Sequence, residues 1–423
     1  MFANNKLNVK FLTSWLILFF FILIPISTYF HLQPVVVSIY ILLSLIFCLF
    51  KNKINFHLDF KSNYVFYLWI IYILISILST IVFKRFSTND LSGIYAEISF
   101  TFIIFILTRF WDPIYFLKIF RNLLIFLSVI AILGEILRID PFSALKQGTQ
   151  FTSIDTTTNG AISTIFEYRH YYALFLISAM ICLWEFPIKS KIIGFFCNLI
   201  LFVNIILTNT RNAWLAFIIV LIIWLMKERP FRISQTRIIY SFIIIIILIL
   251  LFALFSNVVT DLLSVVNSRI MDLIDSQDKY GGATGVRGYT LQYGTKYILD
   301  NWQKYLLIGG GNGFALEWLF YNPFGLTTSW RNAVDVQYVT TFMNTGILGL
   351  ITLLGILLKN VEYFIKSNTP EGKTFTLIIL GMGIMISFFD VIPFNNSPFV
   401  FWIICLCGLN TISFTKGKRE YEN

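Results

Sequence analysis

The chain has 423 residues, of which 57% are apolar or aromatic and 13% are charged, and its formal net charge is +10. A soluble domain carries roughly 25% charged residues, and a mean hydropathy of +0.78 is equally foreign to a disordered or fibrous chain. Continuous apolar runs of about 20 residues, long enough to cross hydrocarbon, predict an all-α polytopic membrane protein; they do not alternate as β-barrel strands would, and the positive charge is read as membrane topology rather than a nucleic-acid partner.

In chain order the runs predict about 12 transmembrane helices, at roughly 11–30, 34–50, 63–83, 92–110, 116–137, 170–186, 191–208, 212–226, 238–257, 338–358, 374–392 and 398–413. The first is longer than a signal-peptide core and lacks a cleavage site of small residues, so it is expected to stay as a span. Lys and Arg collect on one side when both termini are placed in the cytoplasm, as with Lys51, Lys53, Arg229, Arg232, Lys366 and Lys416. Two outer segments are then long. One covers 138–169. The other is a large extracytoplasmic loop at about 258–337, between helices nine and ten. Its Trp302, Trp318, Trp330 and balanced charges suit a small folded cap. The expected organisation is therefore 1–257 (helices one to nine, with outer loop 138–169), 258–337 (cap) and 338–423 (helices ten to twelve and a cytoplasmic tail). The five cysteines fall inside apolar runs, which supports neither a disulfide framework nor a zinc site.

Charged residues that work against the topology bias are the first candidates for chemistry. Arg211 lies in a very short outer connection, Thr208-Asn209-Thr210-Arg211-Asn212. Thr210 or Asn209 can cap the following helix, so that its free N–H groups and the Arg fork face one spot, an anion site. The competing reading is an arginine snorkelling to headgroups. Glu167, Arg169 and His170 bring a carboxylate, a guanidinium and an imidazole to the start of span six, amid Tyr168, Tyr171 and Tyr172. His170 suits a general base near neutral pH; the alternative is an aromatic belt with flanking charges.

In the cap, Gly309-Gly310-Gly311-Asn312-Gly313 is either a nest of amides for an anion or a turn. It is not a Walker loop, because no Gly-Lys-Ser/Thr follows. Asp272, Asp275 and Asp278 are spaced as a helix face, and Asp335 precedes span ten, where helix capping competes with a catalytic role. The first outer loop, His31-Leu32-Gln33, has no carboxylate. Glu97, Glu135, Glu185 and Asp390 are each expected within a few residues of a span end, which argues against an ion-coupled carrier.

Four of these stretches together resemble the O-antigen polymerase and O-antigen ligase-like family of bacterial membrane proteins. They are Thr208 to Ala216, Arg269 followed by Arg287, Leu307 to Phe314, and Asp335 to Leu350. The resemblance covers about 160–355 and implies a plasma (inner) membrane enzyme. Such an enzyme transfers a glycan from undecaprenyl diphosphate to a second lipid-linked repeat unit (polymerase) or to lipid A core (ligase). The implied partners are the lipid-linked oligosaccharide as donor and acceptor, the bilayer and, in some systems, a chain-length regulator. Nucleic acid is not among them. Ligases of the family commonly carry a histidine before the span that follows the long loop. The stretch Arg331 to Asp335 has none, which favours the polymerase.

For this reaction the arginines Arg169, Arg211 and Arg287 would hold the departing diphosphate. Glu167, His170 or Asp335 would take the acceptor's proton, with no metal and no cofactor. The rivals are the ligase, a flippase or other carrier of lipid-linked sugars, and a membrane scaffold whose outer loop binds a partner.

Overall fold

The computed structural model describes residues 2–50, 64–137, 139, 141–142, 145, 163–166, 168–208, 210–228, 290–322, 336–385 and 396–420. Among them every regular element is helical. The helices are α1 (Phe2–Tyr29), α2 (Gln33–Phe50), α3 (Tyr64–Val82), α4 (Thr88–Thr108), α5 (Pro113–Leu137), α6 (Arg169–Glu185), α7 (Lys191–Leu207) and α8 (Arg211–Glu228). After a π-helical turn at Thr290–Gly294 come the short cap helices α9 (Thr295–Asp300), α10 (Trp302–Tyr305) and α11 (Phe314–Tyr321). The chain ends with α12 (Gln337–Lys366), α13 (Pro370–Met385) and α14 (Ser397–Glu420). A helix stands at eleven of the twelve segments expected to span; the ninth, 238–257, lies outside the described residues.

Five of these helices are long and apolar enough to cross a membrane, namely Val9–Tyr29, Tyr64–Val82, Asp90–Thr108, Pro113–Leu137 and Gln337–Lys366. The apolar stretches of α2, α7, α8 and α14 are shorter. α6 and α13 are different in kind. They are apolar around their whole circumference and almost every residue is buried, as expected for helices enclosed by others. α13 packs on α6, α8, α12 and α14, and so forms the axis of the bundle. Phe21, Phe120, Phe166, Phe175 and Phe401 fill the centre from five different segments.

Hydrogen bonds between helix ends sort those ends into two levels. At one level Thr13 donates to the Phe110 carbonyl (2.7 Å), Trp224 Nε1 to Glu185 Oε1 (2.8 Å) and Lys227 Nζ to the Ser367 carbonyl (2.9 Å). Arg121 donates there to the Phe186 carbonyl. At the other level Arg85 Nε donates to the Asn312 carbonyl (3.0 Å), Asn396 Nδ2 to the Tyr171 hydroxyl (2.9 Å) and the Tyr338 hydroxyl to the Gly383 carbonyl (2.9 Å). Successive long helices therefore alternate in direction, and α9–α11 sit at the second level.

One span is not continuous. α12 breaks at Gly346, whose φ of 65° and ψ of −162° leave helical geometry. Such a break strands two carbonyls and two amides, which must find partners away from water. The cap segment Leu306 to Gly311 supplies all four. Gly310 and Gly311 N–H donate to the Met343 and Asn344 carbonyls (2.8 and 2.9 Å), while Ile347 and Leu348 N–H donate to the Leu306 and Leu307 carbonyls (2.9 and 3.3 Å). The backbones can close this far only because both chains lack a side chain at the crossing. A Cβ on Gly346 would stand 2.5 Å from the Gly309 nitrogen, and one on Gly309 would stand 2.5 Å from the Asn344 oxygen. Ser79 of α3 adds a bond to the Asn344 carbonyl (3.0 Å). The described part of the cap has its own small core, in which Ile298, Tyr305, Phe314, Trp318 and Leu319 close over Val339 and Met343 of α12.

Glu97 corrects a sequence expectation. It was placed near a span end, but α4 begins at Thr88, so Glu97 lies near the middle of a 21-residue helix. It is fully buried, with the Ser76 hydroxyl of α3 beside its carboxylate. Glu135 and Glu185 do lie at the ends of α5 and α6. Asp390 falls outside the described residues.

Candidate functional site

The second level holds two polar assemblies built on different helices. The first is the clasp of cap and broken helix. Its glycine run is not an anion nest, because its amides are already used. Gly309 N–H bonds the Tyr305 carbonyl (2.8 Å), Gly310 and Gly311 bond α12, and Asn312 N–H bonds Thr80 Oγ1 (3.0 Å). Around the run Arg85, in the tight α3–α4 turn, forms ion pairs with Asp90 (3.6 Å) and Glu317. Asn312 Nδ2 donates to the Asp90 carbonyl (2.7 Å). Within the cap, burial first and then the neighbouring Tyr305 push the Tyr297 phenol above its ordinary pKa. These groups hold the cap to the bundle and leave little to offer a ligand.

The second assembly is the rim formed by the starts of α6 and α8. Arg169 is the first residue of α6, half-buried, after an extended Tyr168 that provides no side-chain cap. His170 stacks on Tyr168 (centroids 5.1 Å, 14°) and meets the edge of Tyr171 (4.5 Å, 84°). The Tyr171 hydroxyl is held in turn by Asn396, beside the start of α14. The imidazole thus sits inside the aromatic belt. Arg211 opens α8, and its side chain lies outside the described residues. The expected cap of α8 by the Thr210 hydroxyl is not what forms. That hydroxyl donates to the Thr208 carbonyl (3.1 Å), and the Thr210 carbonyl receives Ala213 and Trp214 N–H (3.1 and 3.3 Å).

The two helix starts stand at nearly one height. α6 and α8 are tied at their other ends by the Trp224–Glu185 bond. At 1.5 Å per residue, Arg169 lies about 24 Å and Arg211 about 20 Å from that tie. Two helix N-termini, each begun by an arginine, therefore stand at the same level. Across α13, Tyr338 of α12 is bonded to Gly383 at that height. Glu167, Arg287 and Asp335 are outside the described residues, as are Arg269 and Asp272 to Asp278.

Sequence reasoning passed over three buried residues beneath this rim. The Ser128 and Tyr172 hydroxyls are 3.1 Å apart, the Tyr172 hydroxyl donates to Asn204 Oδ1 (3.3 Å), and Asn204 Nδ2 donates to the Ser128 carbonyl (3.1 Å). The available signal was Asn204, an amide inside an otherwise apolar run. Among the described residues no three His, Cys, Asp or Glu side chains gather to hold a metal.

Residues 196–354 match the model of the O-antigen ligase family. The match runs from α7 through the Arg211 turn, the cap and the clasp into α12, and ends before α13. No curated protein matches the chain. Over that segment, well under half of its length, the chain is similar to the O-antigen ligase family, and several of its helices are long and apolar enough to cross a membrane.

Proposed function

We propose that the protein polymerises a cell-surface polysaccharide, of O-antigen or capsule type, at the outer face of the bacterial plasma membrane. The level rich in Lys10, Lys118, Lys189, Lys227 and Lys366 is taken as cytoplasmic. That choice turns the rim outward, with the cap, and leaves both termini inside. The donor is a glycan on undecaprenyl diphosphate, and the acceptor is the free sugar end of another lipid-linked repeat unit. The observation that carries this reading is the common height of the α6 and α8 starts, inside and beside the segment that matches the family.

Chemically, an acceptor hydroxyl attacks the anomeric carbon of the donor sugar. The bond from that carbon to the diphosphate oxygen breaks, and the hydroxyl proton passes to a protein base. Charge grows on the departing diphosphate, so donors placed before the reaction stabilise the transition state. Arg169, Arg211 and Arg287 have that role, assisted by the helix N-termini. His170, Glu167 or Asp335 accepts the proton. No step requires a metal.

Purified protein incubated with lipid-linked repeat units tests the reading. Longer lipid-linked chains support it, transfer only to lipid A core would make the protein a ligase, and inert substrate would favour a scaffold. Arg211→Ala or Arg287→Ala should abolish polymer while the protein stays in the membrane; normal chain length and yield from both would overturn the assignment. One observation favours a carrier instead, namely the broken α12 with a buried carboxylate on α4, since carriers use such breaks. Here the groups freed by the break are taken by the cap segment rather than turned toward a solute. Movement of the lipid across a vesicle without covalent change would still decide for the carrier.

A further inference from the structure

We propose that Ser128, Tyr172 and Asn204 form a positioning lock that sets the spacing between the two cation-bearing helix starts. This rests on the diphosphate site proposed above and names residues of that site which touch no substrate. All three side chains are fully buried, and each comes from a different helix: α5, α6 and α7. Tyr172 lies three residues from Arg169, hence on the same face of α6 and about 4.5 Å deeper. Asn204 lies one turn below Thr208, and its carbonyl receives the Thr208 N–H (2.9 Å).

From Thr208 hydrogen bonds lead on to the first turn of α8. The Thr208 hydroxyl donates to the Ile205 carbonyl (2.7 Å), the Thr210 hydroxyl to the Thr208 carbonyl, and the Trp214 indole of α8 to the Ile205 carbonyl (3.2 Å). An unbroken set of bonds therefore runs from the α6 turn that carries Arg169 to the first turn of α8. Phe and Leu would fill the same volumes at positions 172 and 204. Interhelical hydrogen bonds contribute little stability inside a membrane bundle, whereas closed polar networks select one arrangement of their helices. Orientation is what the triangle supplies, and displacements of about 1 Å near reacting groups cost large factors in rate.

The experiment compares Ser128→Ala, Tyr172→Phe and Asn204→Leu with the wild type in three measurements: chain extension of lipid-linked repeat units, melting temperature in detergent, and amide hydrogen exchange read by mass spectrometry. Asn204→Leu removes two bonds of the triangle and changes the shape of the side chain, Tyr172→Phe removes two bonds by deleting one oxygen, and Ser128→Ala removes one. The expected order of lost kcat is therefore Asn204→Leu, then Tyr172→Phe at about tenfold or more, then Ser128→Ala. KM should be little changed. Exchange should quicken at 168–172 and 208–213 and not across the rest of the bundle.

Unchanged exchange at those two turns in Tyr172→Phe overturns the proposal, whether or not Asn204→Leu folds. Quickened exchange with wild-type kcat overturns it as well, because the spacing would then not matter to the reaction. A wild type that extends no chains sinks the polymerase reading instead, and local exchange in Tyr172→Phe still decides whether the triangle holds the two turns together.

Discussion

The clasp and the rim lie at the same level of the bundle, and both are rich in residues that suggest ligand binding. They differ in what is left over. In the clasp, the amides of Gly309 to Asn312 and the groups freed at Gly346 find partners in the protein, and Arg85 is engaged by Asp90, Glu317 and the Asn312 carbonyl. In the rim, two helices begin side by side without a side-chain cap at Tyr168, and the bonds lie underneath, where Tyr172 and Asn204 hold the turns. A glycine run and an arginine thus serve the fold in one place, while in the other the arginines stand at helix starts, where the proposed reaction would use them. Residue type alone does not separate the two; the destinations of the backbone groups do.

The largest effect should come from filling the crossing of the clasp. Gly346→Ala puts a Cβ against the Gly309 nitrogen and the Leu307 backbone and retains a φ of 65°. Since neither chain can retreat without leaving buried amides unbonded, the cost should be about 3 kcal/mol or more. The melting temperature in detergent, read by fluorescence on a sizing column, should fall by many degrees or folded protein should be lost. A wild-type melting curve would mean that the clasp does not hold α12.

Next come paired arginine substitutions, which set the two regions directly against each other. Arg85→Ala leaves the Asn312 carbonyl without its donor and a mostly buried Asp90 without its ion-pair partner, at a cost of about 2 kcal/mol. Stability and activity should fall together, and proteases should reach the cap sooner. Arg169→Ala should instead abolish chain extension and leave the melting temperature near that of the wild type. If Arg169→Ala unfolds the protein while Arg85→Ala melts normally, the roles given to the two regions are reversed.

The sequence carried the bundle but not this division of labour. Apolar runs placed helices at segments such as 63–83 and 116–137 because the bilayer demands length and hydropathy, which a single sequence displays. It placed Glu97 badly, since the start of α4 depends on Ser87, whose hydroxyl accepts the Asp90 N–H. The apolar run marks only where hydropathy begins, several residues later. The clasp was invisible for a different reason. Nothing in Gly309 to Gly313 says that its partners are Thr80, Met343 and Asn344, which are distant in the chain or beyond a loop. Arg211 stands out in the sequence because a cation in a short outer connection runs against a statistical rule that topology enforces, and Arg169 and His170 because they place a guanidinium and an imidazole among tyrosines at the start of a span. Tyr172 was hidden in plain view as one more ring of an aromatic belt.

Glu97 sharpens the comparison from outside both regions. An ionisable group enclosed in a membrane bundle is costly to keep charged, and the Ser76 hydroxyl beside it offsets only part of that cost. If it has no part in chemistry, Glu97→Gln keeps the shape, removes the possibility of charge and should alter stability by less than about 1 kcal/mol. Chain extension should be unchanged. A large loss of activity with normal melting would bring α4 into the mechanism and strengthen the carrier reading against the polymerase.

The smallest effect concerns a turn where the chain lacks the glycine that geometry favours. His31, between α1 and α2, has a φ of 56°, and the following Leu32 N–H closes back on the Ser27 carbonyl (2.8 Å), a left-handed helix stop. A non-glycine residue there bears about 1–2 kcal/mol of steric strain. Glycine would relieve it but would also loosen the unfolded chain by about 0.5–1 kcal/mol. His31→Gly should therefore gain about 0.5 kcal/mol, seen as a slight rise in melting temperature. The same φ region at Gly346 admits no such exchange in reverse, because there the space beside the Cα is filled by another backbone. A His31→Gly variant that melts markedly lower would show that the imidazole makes a contact worth more than the strain.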